Sequence, residues 1–99
     1  MMSAPTAPTT TPSARTTNVT VRYFAGAKAA AGTRSEDVAV PEGATVDDLV
    51  AALAADHGDG LARVLAAASF LLDEVAVRDR TVVLAEGAVV DVLPPFAGG

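Results

Sequence analysis

The chain has 99 residues, with seven Lys+Arg against twelve Asp+Glu, one His and no Cys. That length holds one modest domain, and the lack of Cys excludes a disulfide framework, a thiolate metal site and a cysteine nucleophile. A net charge of −5 disfavours nucleic acid and favours a basic partner surface. Residues 1–17 contain six Thr, three Pro, three Ala and two Ser, a composition that predicts a disordered tail. The domain is therefore expected over residues 18–99, with six cations, twelve acids and a net charge of −6. No stretch approaches the roughly 20 apolar residues that span a bilayer, so no membrane association is expected. The N-terminus has no charged segment leading into an apolar one, so it does not read as a signal peptide and a cytoplasmic location is expected.

Val19, Val21 and Tyr23 alternate with Thr20, Arg22 and Phe24, which predicts a strand. Residues 26–32 read as a short helix stopped by Gly32, and Glu36 to Val40 as a second strand ended by Pro41. Thr45 and Asp48 have capping-box spacing, and Val46, Leu49, Val50 and Leu53 then fall on one helical face. His57 lies in the last turn of that helix, where its positive form suits the dipole, and Gly58 ends it. A shorter helix is expected from Leu61 to about Ala68. Phe70–Leu72 and Val75–Val77 read as strand pieces around Asp73-Glu74, followed by Val82–Leu84 and a last strand from Ala88 to Leu93. This order predicts an α+β domain, a mixed sheet with one main helix on one face and the first and last strands paired at its centre.

Both sides of the last strand are apolar, while a two-layer domain covers only one. Phe24, Val89 and Leu93 are therefore expected to form an exposed partner-binding face. After Leu93, Pro94 and Pro95 stop the strand and stiffen the exit, and Phe96, Ala97, Gly98 and Gly99 project beyond it. A carboxylate carried on two glycines can thread a narrow channel, because no Cβ keeps an enzyme's backbone away. Phe96 is the one large side chain of this tail.

A small domain with this element order and a PP-x-x-GG end resembles the MoaD/ThiS family of ubiquitin-like sulfur carriers. The resemblance rests on Val21-Arg22-Tyr23-Phe24-Ala25, Thr33, Ala85-Glu86-Gly87 and Val92 to Gly99, and spans residues 18–99. The Pro-Pro pair and the Tyr-Phe-Ala strand end favour the MoaD branch, the small subunits of molybdopterin synthase. Asp73-Glu74 departs from the Asn-Gly often found there, and residues 77–84 hold an extra residue, which leaves the strand register between Leu72 and Leu84 open. The resemblance implies a ubiquitin-like β-grasp and a carrier with no bound cofactor and no metal. An E1-like adenylating enzyme of the MoeB type would use ATP to adenylate Gly99. A sulfurtransferase would supply the sulfur that converts it to a thiocarboxylate. Pro94 to Gly98 would thread the active sites of that enzyme and of the large synthase subunit of the MoaE type. The thiocarboxylate would donate sulfur to cyclic pyranopterin monophosphate in molybdenum cofactor biosynthesis. Carriers for thiamine, cysteine or tRNA thiolation share the Gly-Gly end, as do ubiquitin-like protein modifiers.

Other polar features read as structural. His57 fits helix-end surface chemistry. Asp47-Asp48 and Asp73-Glu74 are adjacent carboxylates that point apart and make poor catalytic dyads. The Gly- and Lys-containing stretch 25–32 lacks phosphate-loop spacing.

Overall fold

A computed structural model describes residues 15–95 of the chain. Its first strand, β1 (Thr16–Tyr23), buries Thr17, Val19, Val21 and Tyr23 and turns the intervening residues outward, the alternation that a half-buried strand requires. Antiparallel β2 (Ser35–Pro41) pairs along its whole length, from Arg22 opposite Ser35 to Thr16 opposite Pro41. The strand thus starts two residues before the domain boundary expected at Asn18. Thr16 and Thr17 are β-branched and find a ladder on β2, whereas composition alone grouped them with the Thr/Pro-rich tail. Residues 1–14 of that tail and the terminal residues Phe96–Gly99 lie outside the described residues.

Between these strands, α1 (Gly26–Ala31) ends at Gly32, whose φ of 78° is the left-handed conformation that glycine adopts without a Cβ clash. The main helix α2 (Val46–His57) carries the expected capping box. The Asp48 amide donates to Thr45 Oγ1 at 3.2 Å, and the Thr45 amide donates to Asp48 Oδ2 at 2.9 Å. Its Val46, Leu49 and Leu53 are buried, and α3 (Asp59–Ala67) adds Leu61 and Leu65. These side chains meet Val19, Val21, Phe70, Val90 and Val92 from the sheet in one core.

The second half of the sheet comprises β3 (Ser69–Leu72), β4 (Val75–Ala76) and β5 (Val89–Leu93). The strand order is β2-β1-β5-β3-β4, with β1 and β5 parallel at the centre and the neighbouring pairs antiparallel. This is the mixed sheet and the central pairing that the sequence predicts. The expected strand at Val82–Leu84 is absent. Val83 makes a single bridge to Thr45, and this segment bonds the helical layer instead: the Val46 and Asp47 amides donate to the Val82 and Arg80 carbonyls at 3.1 and 2.9 Å. Those amides belong to the first turn of α2 and have no partner within the helix, so the segment is drawn to the helix start. Arg80 also places its guanidinium 5.0 Å from the centre of the Phe70 ring.

Asp73 and Glu74 form the two-residue turn between β3 and β4, with φ of 49° and 73°. Positive φ at both positions is the turn geometry that favours Asn-Gly, and Glu74 adopts it with a Cβ in the way. His57 does not lie free at the helix end. Its Nε2 is 2.6 Å from Glu36 Oε2, its side chain is 18% exposed, and its ring meets Tyr23 edge-on at 6.0 Å. The Tyr23 hydroxyl donates to the same Glu36 oxygen at 2.5 Å. Among the described residues, no helix is long and apolar enough to cross a membrane.

Two expectations follow from these contacts. Glu74→Gly removes the left-handed strain at a modest cost in unfolded-state entropy, so it should stabilise the domain by roughly 0.5–1 kcal/mol. A higher denaturant midpoint at unchanged m-value is the check. Burial first, and then the bond and charge of Glu36, push the Tyr23 hydroxyl well above its ordinary value. The native state therefore holds this proton more tightly than the unfolded chain does. The stabilisation is fully present below the usual tyrosine value of about 10 and is lost as pH rises beyond it. Because Tyr23 is the sole tyrosine, phenolate absorbance should appear only together with alkaline unfolding.

Candidate functional site

The parallel β1–β5 pair carries the candidate site on the face turned away from the core. Arg22 and Asp91 are register partners there. The Arg22 guanidinium donates from Nε to Asp91 Oδ1 at 2.6 Å and from Nη2 to Oδ2 at 2.9 Å, a bidentate clamp across the two central strands. Asp91 is only 4% exposed. Its hydrogen bond and then its charge raise the Arg22 guanidinium further above an already high value. The same guanidinium lies 5.9 Å from the centre of the Phe24 ring.

Phe24 follows directly on β1, and its amide still donates to the Val92 carbonyl at 3.2 Å. The chain then turns through Ala25, at φ 49° and ψ −125°, a conformation that costs a residue with a Cβ about 1–3 kcal/mol. The turn leaves Phe24 41% exposed. A largely apolar groove of about 510 Å³ opens beside it, lined by Phe24, Ala25 and Gly26 from the β1–α1 junction and by Leu93, Pro94 and Pro95 from the end of β5. Pro94 and Pro95 therefore leave β5 along an apolar groove, with Pro94 half-buried and Pro95 exposed.

Of the three residues expected on the partner face, Phe24 and Leu93 come together at this groove. Val89 lies four positions earlier on β5, about 13 Å along the strand, beyond the Arg22–Asp91 clamp. Asp73 fixes it there. The Asp73 amide donates to the Val89 carbonyl at 2.8 Å, and the Val89 amide donates to Asp73 Oδ1 at 2.9 Å. Its neighbours are Arg22, Asp73 and Glu74, so the face is divided by charge and is not a continuous apolar patch. Pro94 and Pro95 stand where the exit was expected, while Phe96, Ala97, Gly98 and Gly99 lie outside the described residues. The clamp itself escaped the sequence reading. An Arg in one central strand and an Asp in the other, both on the outward face, was the signal available.

One cluster has the chemistry of metal ligands: Glu36, Asp56 and His57 place donor atoms within 4.8 Å of one another. Glu36 Oε2 is already engaged by Tyr23 and His57, and none of the three residues lines the groove.

Residues 21–99 match the model of the ThiS family. No curated protein matches the chain by sequence. Among solved structures, the HVO 2177 protein of Haloferax volcanii is 32% identical, with a TM-score of 0.75 over 85% of this chain and 88% of that one. SAMP1 (small archaeal modifier protein 1) of the same organism is 28% identical, with a TM-score of 0.73 over 83% of this chain and 99% of that one. A chain from the complex of subunits 1 and 2 of the molybdopterin-converting factor of Helicobacter pylori is 26% identical, with a TM-score of 0.58 over 83% of this chain and 99% of that one. The fold is thus the ubiquitin-like β-grasp, and by a match that runs from the middle of β1 to the terminal glycine the chain belongs to the ThiS family.

Proposed function

We propose that the chain is the sulfur-carrier subunit of a molybdopterin synthase. The observation that carries this reading is the delivery of the tail. A central strand ends at Leu93, two prolines lead out beside an apolar groove, and the sequence then runs Phe96-Ala97-Gly98-Gly99. The chain holds no Cys, so the group it can carry sulfur on is the terminal carboxylate. That carboxylate is a poor electrophile. An adenylating enzyme joins it to AMP from ATP with release of pyrophosphate, and a sulfur nucleophile from a sulfurtransferase then displaces AMP to leave a thiocarboxylate on Gly99. The large synthase subunit takes the loaded tail and transfers sulfur to cyclic pyranopterin monophosphate. The Helicobacter pylori neighbour, which is seen as a complex of two converting-factor subunits, supports a partner of this kind.

A second reading is favoured by the likeness to SAMP1, named as a modifier protein. There the same activated Gly99 acylates a lysine of a target and forms an isopeptide bond. The two readings share the adenylation step and differ in the nucleophile that follows.

Mass spectrometry after incubation with the adenylating enzyme, ATP and a sulfur donor separates them. The full chain should exchange one oxygen for sulfur, and the loaded chain should support molybdopterin formation with the large subunit. A chain lacking Gly99 should do neither, yet melt at the same temperature, because β5 ends at Leu93. Lysine adducts without thiocarboxylate would establish the modifier reading instead. Phe24→Ala should weaken binding to the large subunit by roughly 1.5–3 kcal/mol, about tenfold per 1.4 kcal/mol. It should change stability little, since this side chain is 41% exposed in the free domain. Calorimetric titration paired with a thermal melt measures both effects. A large loss of stability with normal binding would make Phe24 a core residue.

A further inference from the structure

The acidic composition conceals one cationic locus. Residues 18–95 carry six cations, and three of them, Arg22, Lys28 and Arg34, line a single cavity of about 420 Å³ at the end of β1. Lys28 and Arg34 are exposed, and among the described residues neither joins an ion pair. Arg22 commits two of its donors to Asp91 and has others to spare. The chain has twelve acids available to neutralise these side chains; Asp91, with a smaller contribution from Glu74, acts on Arg22, and among the described residues no acid pairs with Lys28 or Arg34. Phe24 and Ala25 line both this cavity and the groove at the base of the tail, so the cationic pocket and the apolar groove are one continuous surface. At the other end of the same sheet face the sign reverses, where Asp73 and Glu74 flank Val89.

We propose that this surface docks an acidic segment of the partner, one that presents carboxylates to Arg22, Lys28 and Arg34 and an adjoining apolar side chain to the groove. The proposal deepens the carrier reading and rests on it in one respect, that the partner is the protein that receives the tail. It also reverses the inference from net charge. An overall charge of −6 favours a basic partner, but contact is decided within a Debye length of about 8–10 Å, and there the carrier is positive. The polarity of the face has a geometric use. Cations beside the tail exit and carboxylates near Val89 oppose a reversed docking by like-charge contact, so the partner meets the domain with the exit facing its channel.

The test pairs two charge reversals of equal size on the full chain. Lys28→Glu with Arg34→Glu alters the pocket, and Arg63→Glu with Arg78→Glu alters exposed cations elsewhere. Each is titrated against the adenylating enzyme and the large subunit, with a melt to confirm folding. The pocket variant should bind at least roughly tenfold more weakly at low salt, with the difference shrinking as salt is added, while the control stays within about twofold. Equal weakening by both pairs, or none by the pocket pair, overturns the proposal. If the unaltered chain binds neither protein, the carrier reading falls, and a second measurement decides the surface independently. Amide shifts of the labelled full chain are followed with a synthetic peptide of glutamates next to phenylalanine, and with its lysine counterpart. Shifts centred on Phe24, Lys28 and Arg34 for the acidic peptide alone support the dock. Shifts elsewhere, none, or the same shifts from both peptides overturn it.

Discussion

The parallel pairing of β1 with β5 governs the rest of this molecule. Two parallel strands cannot be joined by a hairpin, so everything between them in sequence forms one long crossover. That crossover has to cover the sheet, and α2 and α3 do so with Val46, Leu49, Leu53, Leu61 and Leu65. A parallel pair also sends both of its C-terminal ends the same way. Phe24, just past β1, and Pro94, just past β5, consequently leave the sheet at the same edge. The groove at the base of the tail follows from the topology before any side chain is considered.

The Arg22–Asp91 clamp fixes that pairing in register. Side chains alternate along each strand, so a slip of one residue would turn Asp91 or Arg22 toward the opposite face. Asp91 would then be buried without its cation, at the cost of an uncompensated charge. An ion pair of this kind adds little net stability compared with an apolar pair of the same shape, but it penalises the wrong register heavily. The clamp also divides the open face, with the apolar groove and the cations on one side and Val89 with Asp73 and Glu74 on the other. A surface organised in this way can orient a partner as well as attract it.

Local signals were legible in the sequence wherever a backbone requirement has its own residue code. The capping box at Thr45 and Asp48 and the Gly32 stop satisfy groups within a few residues, while the alternation of β1 and the Pro94-Pro95 exit are written in the residue types themselves. The central pairing was legible as well, because the two apolar strands lie at opposite ends of the domain's sequence. Val82–Leu84 was misread because its apolar run suited a strand, while the unpartnered amides at the start of α2 supplied a better set of donors to the carbonyls of this segment. His57 stands in the last turn of α2 as expected, but its partner was not legible, because the last turn of a helix says nothing about which strand lies beneath it, and here β2 places Glu36 there.

The sequence by itself determined the family and the α+β order, since these rest on residue types and spacings along one dimension. It did not determine the character of the open face. Phe24, Val89 and Leu93 are alike in hydrophobicity, and nothing local separates them. Tertiary structure decided that Phe24 and Leu93 meet at the tail groove while Val89 is held by Asp73 beyond the clamp. It also decided that Arg22, Lys28 and Arg34, scattered over two strands' ends and a short helix, share one cavity. Net charge is a sum over the chain, whereas a partner responds to the field at the point of contact, and only the folded arrangement of the charges sets that field.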